Sequence, residues 1–270
     1  MAKILALGGD GIGPEILAEG LRVLDWVTGQ AEMSVEIDYG VLHGASWDLH
    51  GTFCTDEVLD MARASDAVLV GAVGGPDWDG ICVPGGAECQ DGLMHLRYHL
   101  QTYLGLRPAR CWPKLRHRSS IRPDILGNAD VLILREMCGG AMFAKERGIK
   151  IDNGRRRGYD MTAYDEGEIA RFARGGFELA RRRNGRLVSC DKSNVMESYK
   201  LWRTVVSEIA KEYPDVTFEN MFADNCAYQM MMRPQDFDVV LCCNQLGDIL
   251  SDLAGAVSYT HLTLPTSDLV

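Results

Sequence analysis

Asp248 and Asp252 stand four residues apart in NQLGDILSDL, a stretch that reads as helical, so their carboxylates share one face. The run before them, Phe237 to Cys243, is apolar enough for a buried strand. The two acids therefore fall just past a strand end, where open α/β sheets place ligands. Two hard oxygen donors at that spacing suit Mg²⁺ or Mn²⁺ held together with a substrate carboxylate. The plainer account of such a pair is a solvated acidic helix face. Three arginines extend the pattern: Arg97 on a helix, Arg107 in LGLRPAR, and Arg135 at the end of an apolar strand. An arginine leaving such a strand is costly to bury unless it meets an anion, and its guanidinium fork matches a carboxylate at two points. Each could instead pair with a structural acid such as Glu136. Lys192 in CDKSN and Asp224 in FADN also follow strand-like runs. A lysine near a metal and cationic arginines can have its pKa lowered toward use as a base, whereas surface salt bridging is its plainer role.

The elements that must position these groups alternate. Lys3 to Leu7 reads as a strand, Gly8 to Gly13 as a glycine turn, and Pro14 to about Thr28 as a helix. Strands at Ser34 to Tyr39 and Ala67 to Val73 flank a helix at Thr55 to Ser65, with Thr55 as its N-cap. Gly74 to Gly92 is a long loop rich in Gly and Pro, and a helix is predicted from Gly92 to Leu104. Strands follow at Val131 to Leu134, Arg186 to Cys190, Val216 to Asn220 and Phe237 to Cys243. Between them come helices at Asp165 to Arg183 and Val195 to Tyr213, and a short helix near Asp224. The polar, arginine-rich Lys145 to Tyr164 reads as a hairpin or arm. This alternation predicts an α/β fold with a largely parallel sheet. In GGDGIGPE the glycines do not make G-x-G-x-x-G, so a dinucleotide loop is not indicated there.

The net charge of −10 over 270 residues argues against non-specific binding to nucleic acid and to anionic membranes. Nine cysteines with no C-x-x-C pair are expected to be reduced thiols in a cytoplasmic protein. The start, MAKILALGG, reads as a first strand and not as a signal peptide, and no apolar run approaches a membrane span.

Taken together, GGDGIGPE, LRPAR, Arg135-Glu136 followed by a glycine pair, DKSNVMES, LWR, ADN and CNQLGDILSDLAG resemble the metal-dependent β-decarboxylating dehydrogenases, the isocitrate/isopropylmalate dehydrogenase family. These motifs span residues 3 to 256. The resemblance implies a two-domain α/β fold with a large mixed sheet flanked by helices. The first, cofactor-side domain would comprise 1–103 and 255–270 and be incomplete, and 104–254 would be the substrate, metal and dimerisation domain. It implies oxidation of a 2-hydroxy acid with NAD, NADP not being excluded, and loss of CO₂ from the 3-carboxylate with Mg²⁺ or Mn²⁺. Arg97, Arg107 and Arg135 would clamp the substrate carboxylates, and Asp224, Asp248 and Asp252 would be the metal ligands. Asp224 and the general base Lys192 would be offered across a homodimer interface, giving shared active sites. Gln90 and Asn194 would lie on the cofactor side. Leu93, Met94 and Val195 would form an apolar specificity pocket like that of the isopropylmalate branch, although core packing is an alternative for all three. A tartrate or D-malate activity, or an inactive metabolite-binding homologue, stays open.

Two departures stand out. Met142 occupies the place of a catalytic tyrosine, and a thioether cannot donate a proton to an enolate carbon; Tyr159 or Tyr164 are the candidates to replace it. After Ala256 the chain reads VSYTHLTLPTSDLV, which does not continue the family pattern. The tail 257–270 is therefore expected to be foreign to a truncated chain that binds nicotinamide cofactor poorly and is inactive as it stands.

Overall fold

A computed structural model describes residues 1–258. The chain divides into two compact units, one over Met1–Gln101 and the other from Thr102 on.

In the first unit, β1 (Ala2–Gly9) is followed by α1 (Gly13–Gln30), β2 (Val35–Gly40), α2 (Gly44–His50), α3 (Asp56–Arg63) and β3 (Ala67–Ala72). The strands form a parallel sheet in the order β2-β1-β3. Gly9 has φ +74°, and a Cβ there would run into the Ala72 carbonyl, so only glycine lets β1 turn into α1 this close to β3. Asp10, next in the run, is buried. Its carboxylate accepts hydrogen bonds from the amides of Ala45 (2.8 Å), Gly74 (2.9 Å) and Gly44 (3.2 Å). The glycine stretch thus serves the packing of its own loops. Thr55 caps α3 as the sequence predicts, its hydroxyl accepting from the Val58 amide at 3.3 Å. Leu5, Leu7, Leu42, Val58, Leu59 and Leu96 make the core of this unit. α1 buries only Gly13, and its Val23 and Trp26 are 62% and 67% exposed. The loop after β3 carries α4 (Ala87–Gln90) and leads into α5 (Gly92–Leu100). α5 stops short of the expected Leu104 because Gln101 turns left-handed, at φ 53° and ψ 43°.

In the second unit, β4 (Leu104–Arg110), α6 (Pro123–Leu126) and β5 (Asp130–Glu136) precede a hairpin of β6 (Arg147–Asp152) and β7 (Arg155–Asp160). Then come α7 (Glu166–Arg181), β8 (Arg186–Asp191), α8 (Glu197–Ala210), β9 (Thr217–Phe222), α9 (Ala223–Met232), β10 (Val239–Cys242) and α10 (Asn244–Ser258). The sheet order is β4-β5-β10-β8-β9, parallel except for β4, which runs antiparallel to β5. β4 was not anticipated, because its LGLRPAR pattern is half exposed and contains proline. The sheet is therefore mixed, and the fold class is the α/β arrangement the motifs imply. Alternate residues of the central strands serve opposite layers. Leu132, Leu134, Val239 and Leu241 pack with Phe172, Phe177 and Trp202 of α7 and α8. Val131, Ile133, Val240 and Cys242 pack with Met230 and Leu250 of α9 and α10. β6 and β7 form the exposed hairpin expected from the arginine-rich segment. α10 runs unbroken through the expected domain boundary at 254/255. No helix among the described residues is long and apolar enough to cross a membrane.

Candidate functional site

The parallel strands β5, β8 and β10 end on the same side of the second unit, and the polar residues gather there. Arg135, near the C-terminal end of β5, is the hub. It is 5% exposed, and all three guanidinium nitrogens are engaged. Nε donates to Asn244 Oδ1 at 2.9 Å, Nη1 to Asp248 Oδ1, and Nη2 lies 3.1 Å from Met142 Sδ. Burial pushes its pKa down from the usual arginine value, Asp248 and Asp252 oppose that, and Arg107 adds to it. Arg107 on β4 and Asp252 on α10 are thus within electrostatic reach of this cation, although both are exposed. Glu136 is not its hydrogen-bond partner: that carboxylate accepts from the amides of Cys138 and Gly139, both at 2.8 Å. Burial raises the Glu136 pKa.

The glycines here have a steric cause. A Cβ on Gly247 would lie 2.8 Å from Cβ of Arg135, so the glycine of GDILSD lets α10 lie directly on the arginine. A Cβ on Gly139 would come within 2.7 Å of the Tyr164 ring, and Gly140 has φ +72°. Tyr164 is buried, and its hydroxyl accepts from the Asn244 amide at 3.0 Å. Asn244 Nδ2 donates in turn to the Gly139 carbonyl at 3.1 Å. Tyr164 is therefore a bracket beneath the site, its phenol pKa pushed far up by burial. Tyr159 sits on the hairpin, 40% exposed with the Lys150 amine over its ring. Met142 is the side chain found against Arg135. Asn244, which ties β5, the glycine pair and α10 together, was missed by sequence reasoning; its place directly after the β10 strand was the available signal.

Lys192 and Asp224 meet at the neighbouring strand ends. Lys192 Nζ donates to Asp224 Oδ1 at 2.6 Å, and this bond holds the Asp224 carboxyl below its usual range. Asp224 thus pairs with a cation of its own chain. Among the described residues no three His, Cys, Asp or Glu side chains converge closely enough to hold a metal ion. Val195, in the turn after Lys192, is 68% exposed, which removes the core-packing account for it. Asn194 beside it is also exposed.

The remaining candidates lie in the first unit. Leu93, Met94 and Arg97 occupy α5, all half-buried, with Arg97 Nη1 3.5 Å from Met94 Sδ. Asp91 caps this helix through the amides of Leu93 (2.6 Å) and Met94 (2.9 Å). The Gln90 amide is bound to the backbone of Val83, accepting from its N–H at 3.1 Å and donating to its carbonyl.

Against known proteins, the profile of the family described as isocitrate/isopropylmalate dehydrogenase matches residues 3–267. The match continues past Ala256, so the likeness is not confined to 3–256 as the motifs suggested. The chain is 45% identical over 268 residues to a 3-isopropylmalate dehydrogenase of Xanthomonas oryzae pv. oryzae, covering 99% of this chain and 74% of that relative. It is 44% identical, with the same coverage, to the enzyme of that name from Methylococcus capsulatus. Among solved structures, an isocitrate dehydrogenase from Methylococcus capsulatus superposes with a TM-score of 0.80 at 28% identity, covering 95% of this chain and 71% of that one. A β-decarboxylating dehydrogenase from Thermococcus kodakarensis does so with a TM-score of 0.71 at 28% identity, covering 96% and 69%.

Proposed function

This chain belongs to the isocitrate/isopropylmalate dehydrogenase family, and from that premise we propose that it carries the site for NAD-dependent oxidative decarboxylation of 3-isopropylmalate. The observation that carries the reading is the buried Arg135 with Asp248 and Asp252 on the adjoining helix: a cation for a substrate carboxylate beside oxygen ligands for a hard metal ion. The donor chemistry fits Mg²⁺ or Mn²⁺, since both acids project from successive turns of α10. Two carboxylates from one chain leave a third to be supplied, which favours Asp224 of a second copy in a homodimer. Such an ion acts as a Lewis acid toward a hydroxyl or 2-oxo oxygen. Gln90, bound to Val83 through one N–H and its oxygen, keeps a second N–H for a nicotinamide ring.

Within this reading Arg107 and Arg135 bind and orient a substrate carboxylate, which lowers the entropic part of the barrier. Lys192 takes the hydroxyl proton once released from Asp224. Val195, exposed beside Lys192, meets the apolar substituent on the third carbon. Met142 cannot return a proton to the carbon left after CO₂ departs. That one position favours a second reading, a tartrate or D-malate enzyme or a catalytically silent metabolite-binding homologue.

Turnover of 3-isopropylmalate, tartrate, D-malate and isocitrate, each with NAD and Mn²⁺ on the chain extended with a C-terminal segment of its family, tests these readings. Preferred oxidation of 3-isopropylmalate, abolished by chelation, is the expected result. In Met142→Tyr the rate is expected to rise about a hundredfold, the contribution typical of a placed general acid. No oxidation of any of the four, in the extended chain or in that variant of it, leaves only the binding reading.

A further inference from the structure

We infer that Arg203 is a positioning residue for Lys192 and Asp224, its guanidinium clamping the paired ends of the two strands that carry them. The inference rests on reading Lys192 as the base, but its geometry stands apart from that reading.

β8 and β9 run parallel, and their last register pair is Asp191 with Phe222. Lys192 follows the first directly, and Asp224 opens the helix that follows the second. Asp191 is fully buried, at 0% exposure. Its carboxylate takes a two-point fork from Arg203, Nε at 2.8 Å and Nη2 at 3.0 Å, and a third bond from the Ser193 amide at 2.9 Å. A buried carboxylate tolerates desolvation only when its oxygens are answered in this way. The same guanidinium lies 4.6 Å above the Phe222 ring, a cation–π contact. One planar group thus holds the final residues of both strands. The helix that supplies it is itself pinned to β8, because the neighbouring Trp202 indole donates to Ser189 Oγ at 3.2 Å.

The consequence is directional. Lys192 and Asp224 are both partly exposed, and an exposed ion pair on free side chains is weak. Here the backbone beneath each partner is fixed by the clamp, and the Ser193 bond tightens the turn through which Lys192 leaves the strand. Lysine cannot replace Arg203, since an ammonium gives neither the fork nor a flat face for Phe222.

The test is competitive acylation of the lysines of the full chain, read by peptide mass spectrometry as the labelling of Lys192 relative to Lys3. Lys3 belongs to the first unit and is also ion-paired, to Asp38 at 2.9 Å. Arg203→Lys is expected to raise that ratio about two- to fivefold, the range set by losing an exposed ion pair. Phe222→Leu, at a position 37% exposed where an apolar replacement folds, is expected to raise it less. An unchanged ratio in Arg203→Lys, with the unfolding midpoint kept, overturns the proposal. Should that variant not fold, an unchanged ratio in Phe222→Leu does so. Where turnover is measurable, Arg203→Lys is expected to lower kcat several-fold with little change in KM. Absence of turnover in the chain extended with a C-terminal segment of its family would sink the dehydrogenase reading while leaving the labelling result to judge the clamp.

Discussion

Of the ion pairs at the strand ends of the second unit, Arg135 with Asp248 and Lys192 with Asp224 are built in opposite ways. Arg135 and Asp248 meet beneath a helix, with the arginine 6% exposed and also bonded to Asn244. Lys192 and Asp224 meet near solvent, with side chains 32% and 71% exposed. A buried cation must be compensated by fixed partners, so its geometry is written into the packing around it: Gly247 for close approach, Asn244 for the second acceptor, Tyr164 to hold Asn244. An exposed pair is screened by water and defines little by itself. The first is a buried cation whose three nitrogens are all answered by its own chain. The second is a pair near solvent whose members can separate, which is what the proposed role of Lys192 as a base requires.

The largest effect should come from the buried member. Arg135→Met removes the donor to Asn244 Oδ1, a group on a residue only 1% exposed, and leaves Asp248 without its cation. Asp248 is 43% exposed and can regain water, so the loss should be about 2 kcal/mol, below that of a fully buried pair. Urea unfolding of the two proteins measures it. A change below about 0.5 kcal/mol, the size of an ordinary surface substitution, would mean that the cluster is not braced as described.

The two regions also differed in how far the sequence revealed them. Arg135, Asp248 and Asp252 were legible because strand-end arginine and i,i+4 acids are local patterns, and Thr55 was legible as a cap for the same reason. Asn244 was not, because its role depends on three segments far apart in the chain meeting at one amide. The placement of Tyr164 was not legible for a non-local reason: its ring packs against the glycine pair at 139 and 140, where a Cβ would collide with it. α5 was read too long because Leu104 is as apolar as a helix residue, whereas its partner across the sheet, Glu136, recruits it into β4. The in-chain pairing of Lys192 with Asp224 could not be read at all, since it needs the register of β8 against β9.

A smaller change separates bracket from chemistry. Tyr164→Phe deletes the acceptor of the Asn244 amide inside the core and should cost about 1–2 kcal/mol, the penalty for leaving a buried donor unanswered. Urea titration reads the loss. If Tyr164 is only a bracket, any turnover of the parent should persist in this variant at temperatures where it stays folded. A collapse of kcat without a stability loss would instead return Tyr164 to the list of proton donors.

The smallest effect belongs to the exposed pair, and its sign is fixed by linkage. The folded-state pKa of Asp224 lies below its unfolded value because the Lys192 ammonium favours the carboxylate. The unfolded chain then binds the proton more readily, so the pair contributes stability above about pH 4, the ordinary carboxylate pKa, and loses it as pH falls through the lowered folded value. Asp224→Asn removes that dependence. Its unfolding midpoint should therefore sit marginally below the parent's at neutral pH and draw level with it in acid, and salt at about 1 M should shrink the neutral-pH difference. A large, salt-insensitive loss at neutral pH would show that Asp224 is held by more than Lys192, and the contrast between a braced buried pair and a releasable exposed one would fall with it.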